Sequence, residues 1–365
     1  MLKPPKNDEV EITLFGPGFG ESLVIHLGGG RWVTIDSCID SETDQPAALR
    51  YFREIGVDPS ASVSHVIATH WHDDHVLGLA AVVEACSRAT FCCAAALTSD
   101  EFLNLVTVFN TRPIALNTGL SEIEKILFLL KDRKKQPHYV LGDMPIVTLP
   151  AFDTFPEAKV TALSPVNAEW IRFIRSLGKY VPNPSATKHR FPRPDENDIS
   201  IAALVVVGNV VALLGADLET TSDKNRGWDA VLASTNRPRD VASLFKIPHH
   251  GSVTGHHPQV WADLLNSEPI AMLTPWNRGS KLPTQMDRKR ISSSAKRSFT
   301  TSRLSGGDHK AFNSAVVKSI RESNITISSA EPHTGRITAR APILGNGAPT
   351  VWSIELSPTA SFLSY

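Results

Sequence analysis

The stretch of sequence that decides the fold is Thr69-His70-Trp71-His72-Asp73-Asp74-His75, with three histidines and two aspartates in the order H-x-H-x-D-H. It follows an apolar run at residues 66–68, which is typical of the end of a buried strand. Imidazole and carboxylate groups together suit zinc, manganese or iron. The stretch therefore predicts a metal site on a loop that a strand end holds in place.

Two later apolar runs end in the same way. Residues 210–216 lead to Asp217, and Glu219 stands two positions further on. Residues 244–248 lead to the sequence His249-His250-Gly251-Ser252. Each run predicts a strand that delivers a ligand at its carboxyl end. A carboxylate has two oxygens and can bridge two cations, so Asp217 is the candidate bridge.

These motifs, H-x-H-x-D-H, G-A-D-x-E and H-H-G-S, resemble the metallo-β-lactamase superfamily. The closest resemblance is to the branch that includes the hydrolase domain of bacterial DNA-uptake channels and the phosphorylcholine esterases. It covers roughly residues 10–280. The resemblance implies an α/β fold, a four-layer αβ/βα sandwich that forms one domain over residues 1–365. Asp36 stands where the family has its first characteristic acid.

The resemblance also implies two divalent metal ions, zinc first and manganese as its rival. In this assignment one ion is bound by two histidines, the other by an aspartate and two histidines, and one carboxylate bridges them. Such a pair of ions stabilises both the attacking and the leaving oxygen of a displacement. The expected metal ligands are His70 and His72 for the first ion, Asp74, His75 and His249 for the second, and Asp217 as the bridge.

The first ion lacks its expected third histidine. Where many family members have a G-H-T turn before a hairpin, this chain has Asn197-Asp198-Ile199-Ser200. Asn197 could coordinate through its carbonyl oxygen or only reach a bound water. His189, a few residues earlier, could instead supply the third ligand to the first ion. Either arrangement leaves the first site poorer in nitrogen ligands, which favours manganese as a rival to zinc.

Three residues are expected to take part in catalysis: Asp74, Glu219 and His250. In the resembling esterases, an acid two positions after the bridge and the second histidine of H-H-G-S face the substrate. A histidine beside a metal ligand can donate a proton to a leaving oxygen. Alternatively, Glu219 is a surface acid or a helix cap, and His250 only supports His249. Which of the two adjacent histidines binds metal stays open at this point.

The charges balance, with 37 Lys and Arg against 37 Asp and Glu, so any nucleic-acid footprint must be local. One such feature is a basic strip at residues 288–310, where Phe299 interleaves with the cations. The alternative is that this strip is a solvated helix and loop whose charges have no role in binding.

Other residues near the predicted site could contact a substrate. Trp276 stands upstream of the basic strip, where it could stack on a base. Ser252 contacts a phosphate or caps a helix. The expected substrate contacts are Ser252, Arg278, Lys296, Arg297 and Arg303.

These features predict a metal-dependent hydrolase, specifically a phosphodiesterase or nuclease that acts on DNA or RNA. The first alternative is a hydrolase of a small phosphodiester or another small ester. The second is a degenerate metal-binding module, which the nearly complete ligand set disfavours. The ligands alone do not exclude β-lactam or thioester hydrolysis, but the H-H-G-S motif argues against both.

The remaining expectations concern organisation and location. A helical pattern predicts an insertion at residues 97–149, and residues 281–310 are expected to be a basic loop or helix. The four cysteines form no C-x-x-C pair, which favours buried reduced thiols. The amino terminus carries no apolar signal segment and no stretch approaches the length of a membrane span. A soluble, cytoplasmic protein without a membrane partner is therefore expected.

Overall fold

Two β-sheets dominate the computed structural model, which describes residues 2–16, 19–95, 119–178, 196–302, 304, 334–345 and 347–363. The strands of the first sheet are β1 (Glu9–Gly16), β2 (Ser22–Leu27), β3 (Trp32–Ile35), β6 (Val63–Ala68), β7 (Thr90–Ala94), β8 (His138–Val140), β16 (Gly335–Pro342) and β17 (Ser353–Leu356). Their order across the sheet is β17-β16-β1-β2-β3-β6-β7-β8. A separate small hairpin consists of β4 (Ile39–Asp40) and β5 (Gln45–Pro46).

The second sheet has the same number of described strands. They are β9 (Pro145–Leu149), β10 (Ala158–Ala162), β11 (Ala203–Val207), β12 (Val210–Leu214), β13 (Ala242–Lys246), β14 (Leu265–Leu273), β15 (Arg297–Thr300) and β18 (Ser361–Phe362). Their order is β18-β15-β14-β13-β12-β11-β10-β9, and β12 to β15 run parallel to one another. The carboxyl ends of these four strands therefore meet at one edge of the sheet.

Helices cover the outer faces of both sheets. The described helices are α1 (Ala47–Ile55), α2 (Pro59–Ser62), α3 (Asp73–Val76), α4 (Leu79–Ala85), α5 (Gly119–Asp132), α6 (Asn167–Gly178), α7 (Gly227–Ala233), α8 (Pro258–Asp263) and α9 (Gln285–Ser294). Buried residues of α1, α4 and α5 belong to the same core as the first sheet. Buried residues of α7, α8 and α9 pack against the second sheet in another core.

The alternation of side chains along β12 shows how the layers are built. Val210, Ala212 and Leu214 point into the core that the two sheets share, whereas Val211 and Leu213 point toward the outer helices. A strand with both faces covered reads as a continuous apolar run because successive side chains point to opposite faces. The predicted four-layer αβ/βα sandwich is confirmed, with helices outside two facing sheets.

Hairpins join consecutive strands in both sheets. β11 pairs with β12, and the turn is Gly208-Asn209, where Gly208 has φ 56° and so adopts a conformation that favours glycine. β16 pairs with β17 in the same antiparallel way.

The predicted helical insertion needs a correction. Residues 97–118 lie outside the described residues, and α5 is helical, but the helical prediction for residues 138–149 is wrong. That segment contains β8, which pairs with β7, and β9, which pairs with β10. Each strand has only a few apolar residues. Pairing with a neighbouring strand, rather than a pattern in the sequence, makes each segment a strand.

The basic segment at residues 281–310 is not one loop or helix. It contains α9, whose start is fixed by a capping box between Thr284 and Asp287, and then strand β15. Phe299 is buried in the core between the sheets, so it is not exposed among the cations of the basic strip as expected. In the part of the chain that the structure describes, no helix is long and apolar enough to cross a membrane.

Candidate metal centre

The metal ligands predicted from three separate motifs meet at one edge of the sandwich. β6 ends at Ala68, just before the H-x-H-x-D-H motif, and β12 ends three residues before Asp217. β13 ends at Lys246, three residues before His249. The first of these strands belongs to the first sheet and the other two belong to the second. The centre therefore lies where the two sheets come together.

Three groups of side chains in the described residues could each hold a cation, and two of these groups share one carboxylate. The first group is His70, His72 and Asp217, and the second is Asp74, His75, Asp217 and His250; within each group the ligand atoms lie within 4.8 Å of one another. The nitrogens His70 Nε2 and His72 Nδ1 are 3.0 Å apart. Asp217 is thus in the position expected of a bridge.

His250, not His249, joins the second group, and this corrects the predicted assignment. The Nε2 atom of His250 lies 3.1 Å from Asp74 Oδ2 and 3.8 Å from Asp217 Oδ2. Its Nδ1 atom is 3.2 Å from the carbonyl oxygen of Thr274, an acceptor that fixes the ring. The His250 residue is 3% exposed, whereas 23% of the His249 side chain is exposed. The geometry therefore places His250, rather than His249, in the ligand position of the second group.

Asp36 supports two of the candidate ligands from behind. Its Oδ2 atom accepts a hydrogen bond from His75 Nδ1 at 2.7 Å and another from Thr69 Oγ1 at 2.7 Å. Thr69 Oγ1 is in turn 3.0 Å from His70 Nδ1. These contacts engage the Nδ1 atoms of both rings and leave each Nε2 atom to face the centre. Such partners orient metal-binding histidines and raise their basicity.

The electrostatics of the centre call for a cation. Burial alone would raise the pKa of Asp74, but His75 and His250 hold that pKa below its ordinary value. Burial opposes the charged form of His75, yet Asp217, Asp74 and Asp36 hold the pKa of His75 well above its ordinary value. A proton on His75 therefore partly neutralises the surrounding carboxylates when no other cation does so.

Unpartnered buried atoms show that metal ions fit the site. Among the described residues, His75 Nε2 and Asp217 Oδ1 are both buried without a hydrogen-bond partner, and they lie 3.4 Å apart. Buried polar atoms are normally satisfied, so such a pair indicates an ion that both atoms would bind. Asn197 Oδ1 is a third atom of this kind.

The predicted N-x-x-S segment lies against the bridge. The hydroxyl of Ser200 accepts a hydrogen bond from the backbone N–H of Asp217 at 3.0 Å. Asn197 is buried, and its Nδ2 atom donates to Glu219 Oε1 at 3.5 Å. Asn197 is therefore near the centre, as expected, whereas His189 lies outside the described residues.

Glu219 and His249 form a pair at the rim of the centre. His249 Nδ1 lies 2.5 Å from Glu219 Oε1 and 2.8 Å from Thr254 Oγ1. Burial lowers the pKa of His249, but the hydrogen bond to Glu219 and the nearby carboxylates of Asp217 and Asp74 together raise it above its ordinary value. Burial raises the pKa of Glu219, whereas His249 and the hydrogen bonds from Thr254 and Asn197 together lower it below its ordinary value. The pair therefore favours a protonated imidazole beside the cation site.

Several of these side chains are aimed by unusual backbone conformations. Asp36, Ala216, His249 and His250 have φ values of 57°, 42°, 48° and 52°. Residues other than glycine rarely adopt this left-handed region, and such strain is concentrated at functional sites. Two consecutive left-handed residues turn the chain sharply after β13, which sends His250 inward and His249 to the rim.

An aromatic wall, made of Phe19 and Trp276, stands next to His250. The ring centroids of Trp276 and His250 are 5.4 Å apart, and those of Trp276 and Phe19 are 5.1 Å apart. The guanidinium carbon of Arg278 lies 3.5 Å from the centroid of the Phe19 ring. Both aromatic side chains are half-buried and belong to neither described core. The wall is thus part of the mouth of the centre.

The structure separates the other predicted substrate contacts from the centre. Lys296 and Arg297 are exposed at the amino end of β15, the opposite end of the strand from the metal edge. Ser252 is buried and its hydroxyl accepts from Thr254 N, which is the capping role kept open above. Arg303 lies outside the described residues. Arg278 is the member of the predicted set that lies beside the wall.

Sequence reasoning missed two charged residues beneath the centre, Glu21 and Lys246. Both are almost wholly buried, and they form an ion pair. Lys246 interrupts an apolar strand, and a lysine at such a position requires a buried counter-charge. Glu21 comes directly before the apolar strand β2 and follows a glycine-rich stretch at residues 16–20. The sequence shows both charged residues, but only the folded structure shows that they pair with each other.

We expect Asp36→Asn to weaken metal binding by roughly 10- to 100-fold, because the amide cannot accept the His75 proton as strongly as a carboxylate does. Titration of metal-free protein against a chromophoric chelator measures this. Asp40→Asn is the matched control, since Asp40 is also buried but pairs with Arg50 at 2.8 Å. Equal losses in both variants would show that Asp36 has no particular role at the metal centre.

Comparison with known proteins agrees with the architecture. Residues 15–101 match the family model of the metallo-beta-lactamase superfamily. The matched region includes Glu21, Asp36 and the H-x-H-x-D-H motif, and it ends before Asp217. No curated protein shows a significant match. The two sheets with their outer helices match the metallo-β-lactamase sandwich.

Several solved structures are similar to this chain at low sequence identity. The metallo-beta-lactamase fold protein YhfI from Bacillus subtilis is 12% identical over 82% of this chain and 98% of its own, with a TM-score of 0.40. Zn(2+)-bound PqqB from Methylobacterium extorquens is 11% identical over 62% of this chain and 56% of its own, with a TM-score of 0.30. The metallo-beta-lactamase MIM-1 from Novosphingobium pentaromativorans is 12% identical over 69% of this chain and 82% of its own, with a TM-score of 0.33. Similarity at this level supports no argument about substrate.

Proposed function

We propose that this chain is a two-metal-dependent hydrolase that cleaves phosphodiesters, with nucleic acid as the first candidate substrate. The observation that carries the proposal is the pair of ligand groups that share Asp217. Two cations on such a set would polarise a phosphoryl oxygen and supply a nucleophile at neutral pH. Mixed imidazole and carboxylate donors favour zinc, and the lack of a third histidine in the first group keeps manganese as a rival.

Two residues at the rim of the centre, His249 and Glu219, are suited to protonate the leaving group. His249 is held by Glu219 through its Nδ1 atom, so its Nε2 atom is the one that can meet a substrate. A protonated imidazole at this position can donate a proton to the leaving oxygen. Glu219 orients the ring and stabilises its charge. The catalytic pair is therefore Glu219 with His249, in place of Glu219 with His250.

The aromatic wall supports a substrate with a planar group and a negative charge. A base can stack on an aromatic side chain, and stacking contributes about 1–3 kcal/mol per base. Arg278, stacked on Phe19, can bind a phosphate with its planar guanidinium. A nucleotide unit offers both a base and a phosphate, and this combination places nucleic acid first.

One observation favours a small phosphodiester or another small ester as the second candidate. The exposed cations Lys296 and Arg297 lie at the far end of β15, so they do not extend a basic track from the centre. A polymer needs several phosphate contacts for affinity, whereas a short substrate needs few. Of the predicted substrate contacts that the structure describes, Arg278 is the cation at the mouth, and a single phosphate contact fits a short substrate.

The activity test uses metal-depleted protein reloaded with zinc or manganese. We expect cleavage of at least one phosphodiester among single-stranded DNA, duplex DNA, RNA and methyl p-nitrophenyl phosphate, and no turnover of a β-lactam. Metal binding without hydrolysis of any of these would contradict the proposal and favour a degenerate metal-binding module.

Replacing Trp276 and Arg278 by alanine separates the two candidate substrates. We expect the double variant to raise KM for an oligonucleotide by about tenfold or more, because a stacking contact and a phosphate contact are lost. Hydrolysis of methyl p-nitrophenyl phosphate should change little. The double variant Lys296→Ala, Arg297→Ala is the control and should leave oligonucleotide cleavage unchanged. If the Trp276→Ala, Arg278→Ala variant has an unaltered KM for the oligonucleotide, a small phosphodiester becomes the favoured substrate.

A further inference from the structure

A fully buried ion pair lies beneath the candidate metal centre. Lys246 is 0% exposed and Glu21 is 1% exposed, and the ammonium of Lys246 contacts Glu21 Oε1. Lys246 is the last residue of β13, and Glu21 directly precedes β2, so the pair joins the two sheets. Burying two charges is costly unless each is paired and hydrogen-bonded. A charged pair at this depth therefore needs an explanation.

The ammonium of Lys246 is also within reach of the bridging carboxylate. Its Nζ atom donates to the carbonyl oxygen of Ala216 at 2.9 Å and lies 4.0 Å from Asp217 Oδ1. That oxygen is the one without a hydrogen-bond partner, and it faces His75 Nε2. An ammonium that moved toward it would satisfy it fully. Lys246 and a metal ion thus have the same oxygen within reach.

Glu21 is itself held firmly in place. Its Oε2 atom accepts a hydrogen bond from Thr274 Oγ1 at 2.7 Å. Thr274 also contacts the candidate ligand His250, with its hydroxyl 3.3 Å from His250 Nδ1. The Glu21 carboxylate is therefore fixed by Thr274 through one oxygen and contacts the Lys246 ammonium through the other.

We infer that Glu21 is a positioning residue that holds the Lys246 ammonium off Asp217 Oδ1 and so keeps the bridging oxygen available to metal ions. Without the negative charge of Glu21, the nearest carboxylate to the ammonium is Asp217. An ion pair between them would compete directly with metal binding. This inference rests on the metal centre proposed above.

The test is a rescue experiment on metal affinity. Glu21→Gln keeps the size of the side chain and an acceptor for Thr274, but it removes the charge. We expect the zinc dissociation constant, measured on metal-free protein by competition with a chromophoric chelator, to rise by about tenfold or more. The double variant Glu21→Gln, Lys246→Met lacks the competing ammonium. Its dissociation constant should return to within about threefold of the wild-type value.

The control is another ion pair with a buried carboxylate, and it includes none of the candidate metal ligands. Glu11 is 0% exposed and binds Arg340 Nε at 2.7 Å and the Tyr51 hydroxyl at 2.6 Å. Glu11→Gln should lower the melting temperature and leave zinc affinity unchanged. This comparison separates an effect on the metal centre from a general loss of a buried charge pair.

Two results would overturn the inference. One is a Glu21→Gln affinity within about twofold of wild type, and the other is a double variant as weak as the single one. If the single variant does not fold, a folded double variant with affinity more than about tenfold below wild type contradicts the inference, since no ammonium remains to compete. A wild-type protein that binds no metal would instead refute the metal centre itself.

Discussion

Replacing Asp217 by alanine is expected to abolish hydrolysis and to leave the protein with less than its full complement of metal. Asp217 belongs to both candidate ligand groups, so its loss weakens both. We expect turnover to fall by roughly a thousandfold, which corresponds to about 4 kcal/mol of transition-state stabilisation. Elemental analysis of the purified variant, together with steady-state kinetics at saturating zinc, measures both effects.

Asp73→Ala is the matched control for this experiment. Asp73 stands in the H-x-H-x-D-H motif but is exposed, and its Oδ1 atom accepts the backbone N–H of Gly119 at 2.5 Å. It belongs to neither of the two candidate groups among the described residues. Metal content should stay at the wild-type level in this control. Undiminished turnover in a fully loaded Asp217→Ala protein would show that Asp217 is not a bridge.

The two adjacent histidines should respond in opposite ways to substitution by alanine. His250→Ala should lose metal, because His250 lies 3.1 Å from Asp74 and joins the second group. His249→Ala should keep its metal and lose turnover by about 10²- to 10⁴-fold, the usual contribution of a general acid or base. Metal analysis and kinetics on the same preparations distinguish the two outcomes.

The leaving group gives a second readout for His249. A p-nitrophenolate leaves without a proton, whereas a sugar alkoxide needs one. The loss in His249→Ala should therefore be much smaller for methyl p-nitrophenyl phosphate than for an oligonucleotide. If both substrates lose the same factor, or if His249→Ala loses metal, the proton-donor role is wrong.

Most of the sandwich could be predicted because its central strands are long apolar runs. β12 and β13 have both faces buried, and their sequences carry that signal without any help from neighbours. β15 could not be recognised in this way. Its buried polar side chains are satisfied locally, with Ser298 Oγ donating to the Ala295 carbonyl at 2.6 Å. A serine- and threonine-rich strand of this kind resembles a loop in sequence.

The residues of the candidate centre could be found, but not their arrangement. Histidines and carboxylates at strand ends indicate metal chemistry because few other roles bring them together. Which of two adjacent histidines turns inward depends on φ values of 48° and 52° at His249 and His250, and no propensity predicts those. The Glu21–Lys246 pair joins residues from different sheets, so it becomes visible only once the sheets are packed.

The placement of the centre on both sheets has a consequence for the stability of the whole molecule. His70 and His72 follow a strand of the first sheet, and Asp217 and His250 follow strands of the second. Metal ions bound to both sets would act as cross-links between two halves of the sandwich and close a long loop of chain, as a disulfide does. Only the folded chain assembles these ligands. The free energy of unfolding should therefore rise with the concentration of free metal around the protein.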